Sequence, residues 1–372
     1  MREVVIVEGC RTAVGKRKGA LSEIRPDKLA ATILSEVVKR AGVQKQTIDD
    51  VILGCVTQLG EQGGNIARTA ALMAGFPVHV PGVTIDRQCG SSQQAVHFAA
   101  QAIASGDMEV VIAGGVESMT RAVMGTNLAE PSDDLTALYP IVNQGIAAEM
   151  IADKWNLSRQ ALDSFALASH QRALTAIQAG HFADEIVPVA GLTQDEGPRA
   201  DTSIEALNAL KPVFKSDGKV TAGNASQMSD GASAVVLMSR EKADELGLKP
   251  KARIVERTVV GSDPTLMLTG PIPATELALR RARLDISDID RFEVNEAFAS
   301  VPLAWLAETG ADFDRVNVNG GAIALGHPLG ATGTKLLVSL MNELERIKGR
   351  YGLLTICEGM GTANATIIER IS

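Results

Sequence analysis

Residues 83–115 read VTIDRQCGSSQQAVHFAAQAIASGDMEVVIAGG, and this stretch decides the fold class. Val83 to Ile85 is a short apolar, β-branched run, the signature of a buried strand. From Ser91 to Ser105, the residues Ala95, Phe98, Ala99, Ala102 and Ile103 recur at helical spacing, and Gly106-Asp107 closes the run. Val110 to Ala113 is a second strand-like run, ending on Gly114-Gly115. Strand, helix and strand in so short a span predict α/β layers.

The same alternation extends outward. Val4 to Val7 and Val51 to Leu53 read as buried strands. Late in the chain, Phe292 to Val294 leads into Asn295-Glu296-Ala297-Phe298 and a helical run through Ala307. Val316 to Val318 reads as a strand before a Gly-rich turn and a helix from Thr332 to Ile347. Leu353 to Ile356 leads into Cys357, and a last strand, Ala365 to Ile368, has Ala234 to Met238 as its earlier counterpart. The repeated order predicts two similar α/β halves. A more polar segment, with a helix from Arg159 to Ala179, separates two core strands and is placed to form a ligand-binding lobe. The expected division is residues 1–119 with 220–270, an inserted loop domain at 120–219, and a C-terminal half at 271–372.

Composition narrows the function. The chain is 45% hydrophobic and 22% charged, an ordinary globular balance. A net charge of −8, 3% aromatics and the lack of a dense Lys/Arg run argue against nucleic acid as a partner. No apolar run approaches the ~20 residues of a membrane span. The N-terminus runs from a charged pair straight into a strand pattern, and the C-terminus carries no peroxisomal tripeptide, so the expected location is the cytoplasm. Cys10, Cys55, Cys89 and Cys357 form no CxxC pair, which speaks against zinc and redox motifs. Cys10 and Cys55 read as small buried hydrophobes.

The chemistry gathers at strand ends. His327 lies in GGAIALGHPLGATG, Gly320 to Gly333, where glycines keep the backbone compact and admit a large ligand. A histidine there can exchange protons near neutral pH. Cys89 falls between a strand and the helix starting near Ser91, where the helix dipole is expected to favour thiolate, with Arg87 assisting. Taken alone, Cys89 reads first as a structural cysteine. Cys357 precedes a glycine cluster whose backbone N–H groups could face an oxyanion. Asn295, taken alone, is a plain helix cap. Together, four reactive-type residues at strand ends suit a ligand site at the carboxyl edge of an α/β sheet.

These residues resemble the thiolases, acyl-CoA:acyl-CoA C-acyltransferases. The matching pieces are Cys89-Gly90-Ser91, Gly114 to Met119, Asn224-Ala225-Ser226 with Asp230-Gly231-Ala232, Gly270 to Ala274, Asn295 to Phe298, Gly320 to Gly333, and Cys357 with Gly359 and Gly361. They keep family order across nearly the whole chain. The resemblance implies a layered α-β-α-β-α sandwich with an inserted loop domain. It implies that Cys89 attacks the keto carbon of a 3-ketoacyl-CoA, that His327 takes its proton, and that Cys357 protonates the departing acetyl-CoA carbanion. CoA then resolves the acyl-enzyme by a ping-pong route. One oxyanion hole would combine His327 with a water held by Asn295; the other, the N–H groups of Cys89 and Gly359. Acyl-CoA and CoA are the implied ligands, CoA being a substrate, with no bound cofactor or metal. Family members are homodimers or homotetramers.

Some positions depart from the family pattern. Asp86 stands where Asn is common, three residues before the nucleophile. The C-terminal signature is Cys-Glu-Gly-Met-Gly, with Glu358 and Met360 beside Gly359. Asn143-Gln144 replaces the His-Met of short-chain biosynthetic members, at a position that walls the acyl pocket. The Cys89 run and the Cys-Glu-Gly end resemble degradative thiolases of β-oxidation, including those acting on steroid side-chain esters. Ser226 and Phe298 are expected to touch substrate. Arg172, Lys215 and Lys219 are candidates to meet the CoA phosphates. The alternatives are an acetoacetyl-CoA-specific acetyltransferase, a decarboxylating ketoacyl synthase, and a non-catalytic acyl-CoA or lipid-binding protein on the same scaffold.

Overall fold

In the computed structural model, which describes residues 2–371, the alternation builds one continuous sheet with helices on its faces. The first half comprises β1 (Val4–Thr12), β2 (Gly15–Lys16), α1 (Pro26–Ala41), β3 (Asp50–Gly54), α2 (Ile66–Met73), β4 (Gly82–Ile85), α3 (Ser91–Ser105) and β5 (Val110–Ser118). The inserted segment carries α4 (Asp133–Leu138), α5 (Gln144–Lys154), α6 (Arg159–Gln178), β6 (Ile186–Val187) and α7 (Ile204–Asn208). The chain then returns through β7 (Ser229–Ser239) and α8 (Arg240–Glu245). The second half holds β8 (Ala252–Gly261), α9 (Pro271–Ala282), β9 (Arg291–Val294), α10 (Ser300–Thr309), α11 (Ala322–Leu325), α12 (Thr332–Ile347), β10 (Tyr351–Glu358) and β11 (Thr362–Arg370).

The strand order is β4-β3-β5-β7-β1-β8-β11-β10-β9. A short seam joins the halves, where Val5 pairs with Arg253 and Ile6 with Ala252. The division expected from sequence, 220–270 with the first half, puts β8 there, yet β8 pairs along its length with β11 in the second. Each half has parallel strands at its outer edge and antiparallel strands toward the seam.

Packing produces five layers. One outer layer, α1 and α2, buries Leu29, Ile33, Leu34 and Val37 against the first half-sheet. On the opposite side, α9 and α10 cover the second half-sheet, with Trp305 and Phe292 edge to face at 5.4 Å. Between the half-sheets lie α3 and α12, packed on each other and on strands of both halves. The small side chains Ala95, Ala99 and Ala100 on α3 are fully buried, which lets the middle layer close up. Phe98, expected on this core face, points outward and is 41% exposed. Polar contacts bridge the halves too: Gln93 Nε2 on α3 donates to Thr366 Oγ1 on β11 at 2.7 Å.

The repeat between halves breaks at one expected strand. Val316 to Val318 forms no strand; Val316 makes an isolated bridge to Phe292. Asn317 then takes a left-handed conformation (φ 47°), and its side chain replaces the ladder. Val294 N donates to Asn317 Oδ1 and Asn317 Nδ2 to Val294 O, each at 2.8 Å. A side-chain amide that satisfies both backbone groups removes the need for further pairing.

Candidate active site

Cys89 sits on a tight turn between β4 and α3. Gln88 is left-handed (φ 48°), and Gly90 N and Ser91 N donate to the carbonyls of Arg87 and Gln88 at 3.1 Å. Ser91 Oγ accepts from Arg87 N (2.9 Å) and donates to Gln88 O (2.6 Å), locking the turn. The helix proper starts one residue beyond Gly90, so Cys89 precedes it rather than capping it. The expected lowering of its pKa is overturned. Burial, together with Cys357 and Glu358, pushes the Cys89 thiol well above its ordinary value. Cys89 therefore rests as a neutral thiol.

His327 enters from the opposite half, where Gly326 (φ 94°) turns the chain and His327 N donates to Ser229 Oγ at 3.1 Å. The glycines of this motif admit neighbouring backbone, not ligand: a β-carbon at Gly115 would collide with Gly330 O, and one at Gly333 with Gln93 N. Thr334 N donates to Ser92 Oγ at 3.0 Å, so the first turns of α12 and α3 are tied together. Glu117, fully buried at the end of β5, accepts from Gly330 N (2.9 Å), Val56 N (2.9 Å), Thr57 N (3.0 Å) and Gln62 Nε2 (2.9 Å). Glu296 does similar work on the other flank, accepting from Ser169 Oγ, Asn317 Nδ2 and Ile323 N. Both carboxylates lie in motifs visible in the sequence, but their role as struts required the fold.

The tautomer of His327 follows from its partners. Thr332 Oγ1 donates to Pro328 O at 2.9 Å, which commits its proton. The threonine oxygen, 2.6 Å from His327 Nδ1, must therefore accept from Nδ1–H. Nε2 is left unprotonated, and its lone pair accepts from Asn295 Nδ2 at 3.4 Å. Burial, with Lys335 adding to it, lowers the His327 pKa to about 3. The imidazole is thus neutral and basic at Nε2 throughout the neutral range. Asn295 Oδ1 is buried and has no partner among the described residues. Sequence reasoning missed Thr332, although it lies within the quoted motif.

Cys357 is inside β10 rather than after it, fully buried, with its pKa pushed up to about 12 by burial and by Glu358. Gly359 follows the strand, flanked by the amides of Gln88 and Gln144. Asn143 caps α5 through Gly145 N at 2.9 Å. Gly145 packs against the Phe214 ring, which meets Phe298 edge to face at 6.0 Å. Ala225 bridges Phe298, and Ser226 N donates to Ala297 O at 2.9 Å, so the Asn224–Ser226 segment lies along Asn295–Phe298. The three cations expected near the CoA phosphates already have partners within the chain. Arg172 stacks on Phe313 at 4.0 Å and donates to Val316 O, while Lys215 and Lys219 both pair with Asp153. A cavity of about 210 Å³ opens beside Gln227, lined by His170, Arg199, Leu207 and Gly223.

Comparison with known proteins accords with this geometry. A family model described as Thiolase, N-terminal domain matches residues 4–241, and one described as Thiolase, C-terminal domain matches residues 248–370. The chain is 50% identical to a steroid 3-ketoacyl-CoA thiolase of Mycobacterium tuberculosis, covering 100% of this chain and 95% of the relative. It is 45% identical to a 3-ketoacyl-CoA thiolase of Bacillus subtilis, covering 99% and 100%. Its fold superposes on the crystal structure of a Bacillus anthracis acetyl-CoA acetyltransferase with a TM-score of 0.93 at 42% identity, covering 100% and 99%.

Proposed function

The chain belongs to the thiolase family, and from that premise we propose that its four buried residues carry out thiolysis through an acyl-Cys89 intermediate. The enzyme is an acyltransferase that cleaves 3-ketoacyl-CoA, with CoA as co-substrate, to acetyl-CoA and a shortened acyl-CoA. An α-methyl substrate yields propionyl-CoA instead. The observation that carries the assignment is the unprotonated Nε2 of His327, its tautomer fixed by the Thr332 hydroxyl.

His327 Nε2 takes the Cys89 proton as sulfur attacks the keto carbon. The N–H groups of Cys89 and Gly359 receive the carbonyl oxygen of the group bonded to Cys89. The carbon–carbon bond breaks toward the acetyl-CoA enolate, whose oxygen is held by protonated His327 and a water accepted by Asn295 Oδ1. Cys357, kept as a thiol by burial, protonates the carbon. CoA then attacks the acyl-cysteine. The CoA body lies in the cavity beside Gln227, with Arg199 and His170 toward its phosphates and Ser226 along its pantetheine.

We assign the degradative direction and bulky acyl groups, including steroid-type side chains. Similarity to the mycobacterial relative and the Asn143-Gln144 wall support this. The acetoacetyl-CoA-specific alternative draws on the Bacillus anthracis structure. A panel of 3-ketoacyl-CoA esters separates the two. Rising kcat/KM with acyl size supports the degradative reading; a preference for acetoacetyl-CoA of about tenfold or more reverses it. Among the described residues no helix is long and apolar enough to cross a membrane; we place the enzyme in the cytoplasm. A homodimer, or its tetramer, suits the edge strand β4, where Val83 is exposed near Val78, Leu72 and Met73.

A further inference from the structure

Glu358 is fully buried, immediately after Cys357 and before Gly359. A carboxyl in that place has no role in the chemistry above. Its contacts reach across the active site. One face lies on the Cα of Gly90, and a β-carbon there would collide with Oε1. Oε2 accepts from Thr362 Oγ1 on β11 at 2.5 Å. The Asn364 amide, oriented to satisfy both of its atoms, donates to Oε1 at 2.8 Å and accepts from Gln94 N at 3.2 Å. Gln94 belongs to the first turn of α3. The carboxyl therefore touches β10, β11 and the start of α3 at once.

We infer that Glu358 is a positioning residue that clasps the Cys357–Gly361 loop to the Cys89 turn and so sets the spacing between the N–H groups of Cys89 and Gly359. Gly90 is part of the same clasp, because no other residue leaves room for the carboxyl. The charged groups facing Glu358 are Arg87 and Asp86 on the nucleophile turn, with the thiols of Cys89 and Cys357 beside it. Burial raises the Glu358 pKa to about 8; the Thr362 hydroxyl and Arg87 favour the charged carboxyl and Asp86 opposes it, so the group becomes charged only as the pH passes about 8. A charged Glu358 in turn disfavours thiolate at both cysteines. This inference rests on the oxyanion hole assigned above, and its test is chosen to fail separately.

The measurement is exchange of labelled CoA with acyl-CoA, which passes through acyl-Cys89 and makes no carbon–carbon bond. Glu358→Ala should slow exchange about a hundredfold through kcat, the scale of losing one oxyanion donor, with KM for CoA little changed. Glu358→Gln keeps the shape and most partners, so it should restore exchange to within about fivefold of the parent. Its pH profile should move to lower pH only on the alkaline side, above about pH 8, where the parent's carboxyl becomes charged and opposes thiolate at Cys89 while the neutral amide does not. A role confined to stability moves neither the pH profile nor the kcat-to-KM split. Exchange within about threefold of the parent in Glu358→Ala overturns the clasp, as does a Glu358→Gln variant as slow as Glu358→Ala with an unmoved profile. If Glu358→Ala does not fold, the Glu358→Gln pH profile decides alone. Cys89→Ala distinguishes the two levels. Exchange that survives Cys89→Ala sinks the acyl-enzyme reading itself; exchange lost there but normal in Glu358→Ala sinks only the clasp.

Discussion

The two halves of the molecule place different chemistry at equivalent points. In the first, the turn from the edge strand β4 into α3 bears Cys89; in the second, the turn from Val316 into α12 bears His327. The helices that follow lie together in the middle layer, and Thr334 N on one is tied to Ser92 Oγ on the other. A repeated scaffold thus buries Cys89 and His327, the nucleophile and base proposed above, on turns whose following helices are tied together. The next strands differ as well. β5 ends in Glu117, a carboxylate satisfied by four donors that braces the His327 loop. β10 carries Cys357 and then Glu358. One copy of the repeat ends in a brace, and the other carries Asn295, His327 and Cys357, three of the four residues proposed to react.

The largest test of this division is the removal of each thiol. Cys89→Ala should lower turnover and CoA exchange together, roughly ten-thousandfold. Cys357→Ala should lower carbon–carbon cleavage about a thousandfold while exchange stays measurable. Equal loss of both reactions in the two variants would erase the distinction between the cysteines.

A smaller effect is expected from Thr332→Val, which removes the oxygen that accepts from Nδ1–H of His327. Without it the imidazole can flip or change tautomer, and kcat should fall about 10–100-fold with the protein still folded. An unchanged kcat would mean that the tautomer is fixed by something else.

The smallest effect is thermal and compares histidines from the two halves. Burial holds His97, on α3, and His327 neutral, each with its pKa lowered to about 3. The neutral form is favoured in the fold, so the stability each contributes is present above the ordinary histidine pKa. It is lost as pH falls from about 6.5 toward 3. His97→Gln should therefore flatten the fall of Tm with acid while leaving kcat at alkaline pH within about twofold. An acid slope as steep as the parent's would place the sensitivity elsewhere.

Much of this was legible in the chain. The helices at Ser91–Ser105 and Thr332–Ile347 begin and end where their apolar spacing and flanking residues predict. The family motifs pointed to Cys89, Asn295, His327 and Cys357, each beside glycine or a strand end, and the fold buries all four. Less legible was anything decided by contacts distant in sequence. Val316 to Val318 has strand-like residues, but the Asn317 side chain takes over the ladder. Arg172 and Lys219 look like free cations until Phe313 and Asp153 come beside them. The ionisation of Cys89 was misjudged for the same reason: a helix start is readable locally, while burial beside Cys357 and Glu358 is not.

The exposed turn at Leu246-Gly247 lies between the halves. A chain severed there parts Cys89, Ser92 and Glu117 from Asn295, His327, Thr334 and Cys357. Neither fragment holds all four residues proposed to react, and the bonds that tie their loops together cross the cut. Mixed together, the two fragments would regain turnover only as they recombine, so the enzyme could serve as a split reporter whose own activity counts reassembled molecules.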